Sequence, residues 1–291
     1  MPNFGYHLAR AEGRIVRAVY AALLSILPPP RRHARELPFE VFSYSGESSL
    51  PEQVASIRSF LRHAGRPKQF TVVSDGTHST RSLAILRALD PVVSVSQSTE
   101  WIPPHLQDRV VNYLTNHPTG KQLALIMSLP KNGAALYVDS DVLFFPGARE
   151  LASLDPSPQA PVRFLADCQL SADERLFRAP AEARDPVNTG VLFLTHALDW
   201  SCSLERFMEL DGEPTFFTNQ TMTHLTMHAN GAQAFDARKF ILQLDDQFVY
   251  SDRHARAEIV LRHYVNPVRH KFWTTLWHPR RGALQAAPSR S

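Results

Sequence analysis

Cysteine, glycine and long apolar runs are all scarce in this sequence. Two cysteines among 291 residues, Cys168 and Cys202, exclude a disulfide framework. They read as free, buried thiols in a reducing compartment. No window reaches the ~18 to 20 uninterrupted apolar residues of a membrane span. The nearest, Ile15 to Leu27, is interrupted by Arg17. It runs into Pro28-Pro29-Pro30-Arg31-Arg32, where a secretory leader would need small residues, so no signal peptide is expected. A formal net charge of +3 is too small for a nucleic-acid footprint, and no nucleic-acid partner is expected. Prolines outnumber glycines, 22 to 12, and cluster at 28–30, 103–104 and 156–161, which marks loops and argues against a low-complexity chain.

The apolar fraction of 44% supports a real core, and the length suits one large domain or two small ones. Residues 1–36 read as a basic helix with a proline-rich linker. The helix is expected to pack on the domain, although residues 10–35 also have the basic, amphipathic character of a peripheral membrane contact. The localisation expected is cytoplasmic, with that membrane-peripheral option. The main domain is expected over 37–279, followed by a basic flexible tail at 280–291.

Strands are predicted at Phe39–Tyr44, Gln69–Ser74 and Val92–Val95, alternating with helices from Pro51 to about His63 and from Thr80 to Leu89. That alternation predicts an α/β fold with a Rossmann-like, mostly parallel sheet, flanking helices and a ligand crevice at the carboxyl ends of the strands. Helical stretches near 105–116 and 119–129 come next. Further strands are predicted at Val162–Ala166, Val187–Leu194, Phe240–Leu244 and Ile259–Tyr264.

The stretch Ala134-Ala135-Leu136-Tyr137-Val138-Asp139-Ser140-Asp141-Val142-Leu143 stands out. A buried strand ends in two carboxylates one residue apart. Such a pair is costly unless a cation lies between its members. Residues i and i+2 of a strand share a side, so Asp139 and Asp141 could converge on one divalent ion; a solvated turn is the plainer reading. Gly190 beside Asn188, at the start of another apolar strand, suggests a close backbone approach or a ligand edge. His224 and His228, four apart on a helix, lack the glutamate of a metalloprotease motif because Leu225 stands there. They read as a structural helix face.

Four ordered segments carry a resemblance. Tyr137-Val138-Asp139-Ser140-Asp141 resembles the DxD segment of GT-A glycosyltransferases, and Asn188-Thr189-Gly190 the NxG strand of the glycogenin-like, family 8 enzymes. Asn219-Gln220 falls where those enzymes carry an acidic residue followed by Gln. His263, followed by Arg269 to Trp273, is similar to their terminal His…Lys…Trp segment. The resemblance implies a GT-A fold and a metal-dependent, retaining hexosyltransferase using a nucleotide sugar, with UDP-sugar favoured. The acceptor, whether glycan, lipid or protein, is left open.

The same resemblance implies Mn²⁺ or Mg²⁺ on Asp139, Asp141 and His263. It implies donor contacts from Ser43, Tyr44, Asp75, Lys121, Ser140, Asn188, Gly190, Arg269 and Lys271. Asp167, Asn219 and Gln220 would stand near the reacting sugar. Asn219 departs from the pattern, because an amide cannot replace a carboxylate as a base. Two other readings are held beside this one. Asp139 and Asp141 also fit the first motif of haloacid-dehalogenase-like phosphatases, with Asp245-Asp246 as a later acidic pair. A non-catalytic nucleotide-sugar-binding protein is the third.

Overall fold

The computed structural model describes residues 3–30 and 35–278. Helix α1 (Phe4–Leu23) begins at Asn3, whose side chain accepts from the Tyr6 amide. Strand β1 (Glu40–Ser45), helix α2 (Leu50–His63), strand β2 (Phe70–Ser74), helix α3 (Thr80–Ala88) and strand β3 (Val93–Gln97) follow in alternation, as the sequence predicts. Pro51 lies in the first turn of α2, where its missing N–H costs nothing, and Ser79 caps α3 by accepting from the Ser82 amide. The stretch near 105–116 turns helical only at α4 (Asp108–Asn116), and Pro118 opens α5 (Pro118–Met127). Strands β4 (Ala135–Val138), β5 (Val142–Phe144), β6 (Arg163–Ala166) and β7 (Val187–Leu194) come next, then α6 (Ser201–Glu209) and α7 (Thr218–Ala229). The described chain ends with β8 (Gln233–Ala234), β9 (Phe240–Ile241), β10 (Leu261–His263) and α8 (Arg269–Trp277).

Seven strands form the main sheet in the order β3-β2-β1-β4-β7-β6-β8. Only β7 runs against its neighbours, so the sheet is mostly parallel. The chain winds outward from β1 to β3 and then returns to the other side of β1 with β4. The carboxyl ends of β1 and β4 therefore flank a topological switch point, where open α/β sheets bind ligands. A second, three-stranded sheet, β5-β10-β9, carries the returning chain across that end.

Every residue of β2, β4 and β7 is buried, which is why these strands read as unbroken runs rather than alternating ones. The strand period of two splits their side chains between two cores. Val41, Leu136 and Val138 pack with Val54, Ile57 and Phe60 of α2. Phe42, Ala135 and Tyr137 pack on the other face with Val110, Leu123, Phe207 and Met222.

Helix α1 lies against α8. Ala9, Gly13 and Val16 form its buried side, and the Tyr20 ring centroid is 5.3 Å from that of Trp273. A methyl group at Gly13 would stand 2.6 Å from the His270 carbonyl oxygen, so glycine is what permits this approach.

Two expectations need correction. The strand expected over Phe240–Leu244 stops at Ile241, because the chain then turns to bury Asp246. The cysteines are free but not buried: Cys168 is exposed and Cys202 half-buried. The tail expected at 280–291 lies outside the described residues, as do Arg31 and Arg32.

Candidate active site

Asp139 and Asp141 sit in the turn between β4, in the main sheet, and β5, in the small one. Half-buried Ser140 is the turn's apex. The backbone fixes both flanks of the turn. The Asp139 amide donates to the Gly190 carbonyl at 2.8 Å, and the Tyr264 amide to the Asp141 carbonyl at 3.0 Å. Strand β10 pairs with β5, placing His263 opposite Val142. The His263 Nε2 consequently faces Asp141 Oδ1 at 3.0 Å and Asp139 Oδ2 at 3.6 Å.

The tautomer of His263 follows from its neighbours. The Asn188 amide nitrogen donates to Asp167 Oδ2 at 3.0 Å, and the Asn188 oxygen accepts from the Gly190 amide at 2.9 Å. That oxygen also stands 3.0 Å from His263 Nδ1, so Nδ1 is the donor. Nε2 is left aimed at two carboxylate oxygens. It must share a proton with them or face a cation together with them.

Burial works against the imidazolium of His263, but Asp141 and then Asp139 raise its pKa. Burial also opposes the charge of Asp141, yet His263 and the Arg269 guanidinium, which is ion-paired to Oδ2, hold its carboxyl below the usual range. Asp139 goes the other way. Burial pushes it up, only partly offset by His263, and Asp141 adds repulsion.

This donor set fits a hard divalent cation. Two carboxylate oxygens and one imidazole nitrogen lie within 4.8 Å of one another. The imidazole is oriented through its other nitrogen, as metal-ligating histidines are. Gly190 makes room for the ring, because a Cβ there would collide with the imidazole and come within 2.8 Å of the Asn188 oxygen. The close approach expected at Gly190 is thus made to a side chain of the site.

A second layer supports Asp139. Its Oδ1 accepts from the Tyr137 hydroxyl at 2.7 Å and from Gln122 at 2.9 Å, and Gln122 in turn accepts from Asn219 at 2.9 Å. Neither Tyr137 nor Gln122 was singled out from the sequence. The period of two placed Tyr137 on the Asp139 side, and Gln122 adjoins Lys121. Gln220, on α7, donates to Asp167 Oδ2 at 3.2 Å and to the Ser171 carbonyl at 2.9 Å. Asp167, Asn188, Gln220, His263 and Asp141 therefore form one continuous polar chain, and Asn219 joins it from the Asp139 side.

The other candidates divide. Lys121 donates to the Asp75 carbonyl at 3.0 Å, so these two neighbour each other at the end of β2. The Asp75 carboxylate accepts from the Thr77 amide at 2.8 Å, closing the turn that follows β2. Tyr44 is half-buried on the same face of β1 as Phe42. Burial, with Asp75 nearby, raises its hydroxyl pKa.

Ser43 does not line the crevice. The strand alternation turns it toward α2, where its fully buried hydroxyl donates to Gln53 at 2.8 Å. Lys271 does not join Arg269 either. It lies two residues further along α8, fully buried, and donates to the Val249 and Ser251 carbonyls at 2.9 and 2.8 Å. Its ammonium stands 3.6 Å from Asp246.

The competing motifs are structural. His224 Nδ1 accepts from the Val187 amide, and its Nε2 donates to the Glu182 carbonyl, which leaves neither nitrogen for a metal. Asp246 is taken by Arg262 through both oxygens, at 3.0 and 2.8 Å. Arg262 precedes His263 on β10 and so points to the opposite side, away from Asp141. The pair Asp245-Asp246 therefore does not complete a phosphatase centre with Asp139, and three strand–helix units stand before that residue.

By sequence the chain matches no family model and no curated protein. By structure it resembles several solved glycosyltransferases. The galactosyltransferase LgtC, in complex with donor and acceptor sugar analogues, superposes with a TM-score of 0.53 over 86% of this chain and 98% of that one, at 15% identity. Mouse xyloside xylosyltransferase 1 gives 0.51 over 80% and 99%, at 14% identity. The bifunctional glycosyltransferase WbbM gives 0.53 over 86% of this chain but 50% of its own length, at 12% identity. The architecture of this chain is therefore the GT-A fold, a mostly parallel seven-stranded sheet flanked by helices.

Proposed function

We propose that this protein is a metal-dependent glycosyltransferase that moves a hexose from a nucleotide sugar, UDP-sugar by preference, to an acceptor hydroxyl with retention. The observation that carries the reading is the convergence of Asp139, Asp141 and His263 at the switch point of a GT-A sheet. There His263 is oriented by an amide that also holds Asp167. Asp139, Asp141 and His263 would hold Mn²⁺ or Mg²⁺, which when bound supplies Lewis-acid charge to a departing diphosphate.

The remaining roles belong to the chain itself. Arg269 brings a permanent positive charge to the same spot and would pass from Asp141 to a donor phosphate oxygen. Lys121, Tyr44 and Asp75 border the end of β1 and β2 and would receive the nucleoside. Asp167, steadied by Asn188 and Gln220, would accept a hydroxyl of the donor sugar. Both donated bonds of Gln220 are in use, so its carbonyl oxygen is what it offers a reacting carbon. LgtC has been studied as an active-site mutant that replaces a glutamine by glutamate. Gln220 is this chain's candidate for such a residue.

In the reaction, the bond from the anomeric carbon to the diphosphate oxygen breaks with its electron pair on the leaving group. The acceptor oxygen forms the new bond and loses its proton. Asp167 would take that proton, because Asn219 is an amide tied to Gln122.

The test is metal-dependent hydrolysis of a panel of sugar nucleotides by the wild type and by Asp141→Ala. The expected result is turnover with Mn²⁺ that falls at least about a hundredfold in the variant, as for loss of a principal electrostatic stabiliser. Equal turnover in both proteins would overturn the reading. Tight UDP binding with no turnover on any donor would instead assign a binding module.

A further inference from the structure

Helix α1 leaves an apolar stripe uncovered. Eleven large apolar side chains are exposed among the described residues, and six of them, Phe4, Leu8, Ile15, Val19, Leu23 and Ile26, lie on α1 or just beyond it. Exposure reaches 80% at Phe4 and 73% at Ile26. At 3.6 residues per turn, Phe4, Leu8, Ile15 and Val19 fall within an arc of about 60°. The opposite side, with Ala9, Gly13 and Val16, is already spent on α8. One helix thus has two apolar faces, and the protein uses only one.

Charge says what suits the free face. Exposed Arg14 and Arg10 lie on the polar side of the helix, about 80° and about 120° from the nearer edge of the stripe, and Arg10 also donates to the Tyr6 hydroxyl at 3.0 Å. The helix has a single acid, Glu12, which is engaged with Tyr250 and His278 of the body. Arg17 is turned inward onto Glu52 at 2.6 Å. What remains outward is an apolar strip, with two guanidinium groups on the polar side above it. That is the complement of an anionic lipid surface, with headgroup charge above acyl chain. No helix among the described residues is long and apolar enough to cross a membrane, so the stripe suits a helix lying along the surface.

We infer that the outer face of α1 is a docking surface for anionic membrane lipid, with the helix lying in the interfacial plane. Its apolar strip enters the headgroup boundary, and Arg10 and Arg14 meet lipid phosphates. The donor and the metal take no part in this contact, so it stands or falls apart from the proposed chemistry.

The experiment is sedimentation of the full chain with vesicles of phosphatidylcholine alone or mixed with phosphatidylglycerol. The wild type is expected to pellet with the mixed vesicles and to release as salt rises. Leu8→Glu with Ile15→Glu is expected to lower partitioning at least tenfold, and its melting temperature should stay near wild type because both side chains are exposed. Arg10→Glu with Arg14→Glu should lose binding to the anionic vesicles by a similar factor, whereas the surface control Arg238→Glu should not. A wild type that stays in the supernatant, or pellets equally when Leu8 and Ile15 are glutamates, overturns the inference. So does a dimer in sedimentation velocity that the Leu8 and Ile15 changes dissociate, which would give the stripe to a second copy of the chain.

Discussion

At the scale of single residues, the decisive contact is the one at Gly190. The carboxylate pair could be read directly, because acids at the end of an apolar strand are expensive and need a reason. Asn188 and Gly190 could be noticed but not explained. Their role depends on His263, which is 75 residues away from Asn188 and reaches it only through the fold. Gly190→Ala is expected to push the imidazole off its position and cost about 1–3 kcal/mol of stability, as overpacking does. Urea unfolding measures that cost, and titration with Mn²⁺ should show weakened binding in the same variant. Unchanged stability and affinity would mean that the ring has more room than the contacts indicate. Asn188→Ala removes the acceptor of His263 Nδ1 without adding bulk, and metal affinity should fall about 10- to 100-fold, as for other outer partners of ligating histidines.

At the scale of elements, β10 separates two jobs by the alternation of a strand. His263 faces the candidate metal site, while Arg262 faces inward to Asp246 and Asp252. Arg262 and Asp246 are both fully buried, so the pair is a structural fastening whose rupture leaves a bare charge. Arg262→Ala should therefore cost about 3–5 kcal/mol, read from chemical denaturation.

Burial opposes the charge of Asp246, and Arg262 more than offsets it, so the folded-state pKa lies below the ordinary value. The unfolded chain then binds the proton more readily. The stabilisation is complete above the unfolded carboxyl value of about 3.9 and fades as the pH falls through the lower folded one. Unfolding free energies measured between neutral pH and pH 3 should drop more steeply in the wild type than in Asp246→Asn. Parallel curves would contradict this assignment.

At the scale of the whole molecule, the site is assembled from both sheets and from α5, α7 and α8. Anything that binds it should brace elements far apart in the sequence. Mn²⁺ at about a hundred times its dissociation constant would add about 2.7 kcal/mol by mass action. A thermal melt should then rise by several degrees in the wild type and not at all in Asp141→Ala. A shift of the same size in both proteins would place the ion elsewhere. Helix α1 extends this connectivity, because it packs on α8, whose first residue, Arg269, is paired with Asp141.

The sequence by itself determined the α/β class, the three alternating units before β4 and the position of Asp139 and Asp141 at a strand end. Local periodicity and the cost of buried charge are properties of neighbouring residues. Only the tertiary structure decided which distant side chains share that end of the sheet. It brought His263, Asn188, Asp167 and Gln220 to the aspartates, added Tyr137 and Gln122, and took Ser43 and Lys271 away into the interior. The reason is geometric. A strand's alternation or a helix's rotation turns a residue to one face or the other, and which face meets the crevice depends on pairing across the sheets. The free face of α1 follows the same logic. Its apolar pattern is visible in the sequence, but only the packing of Ala9, Gly13 and Val16 on α8 shows which side of the helix was left uncovered.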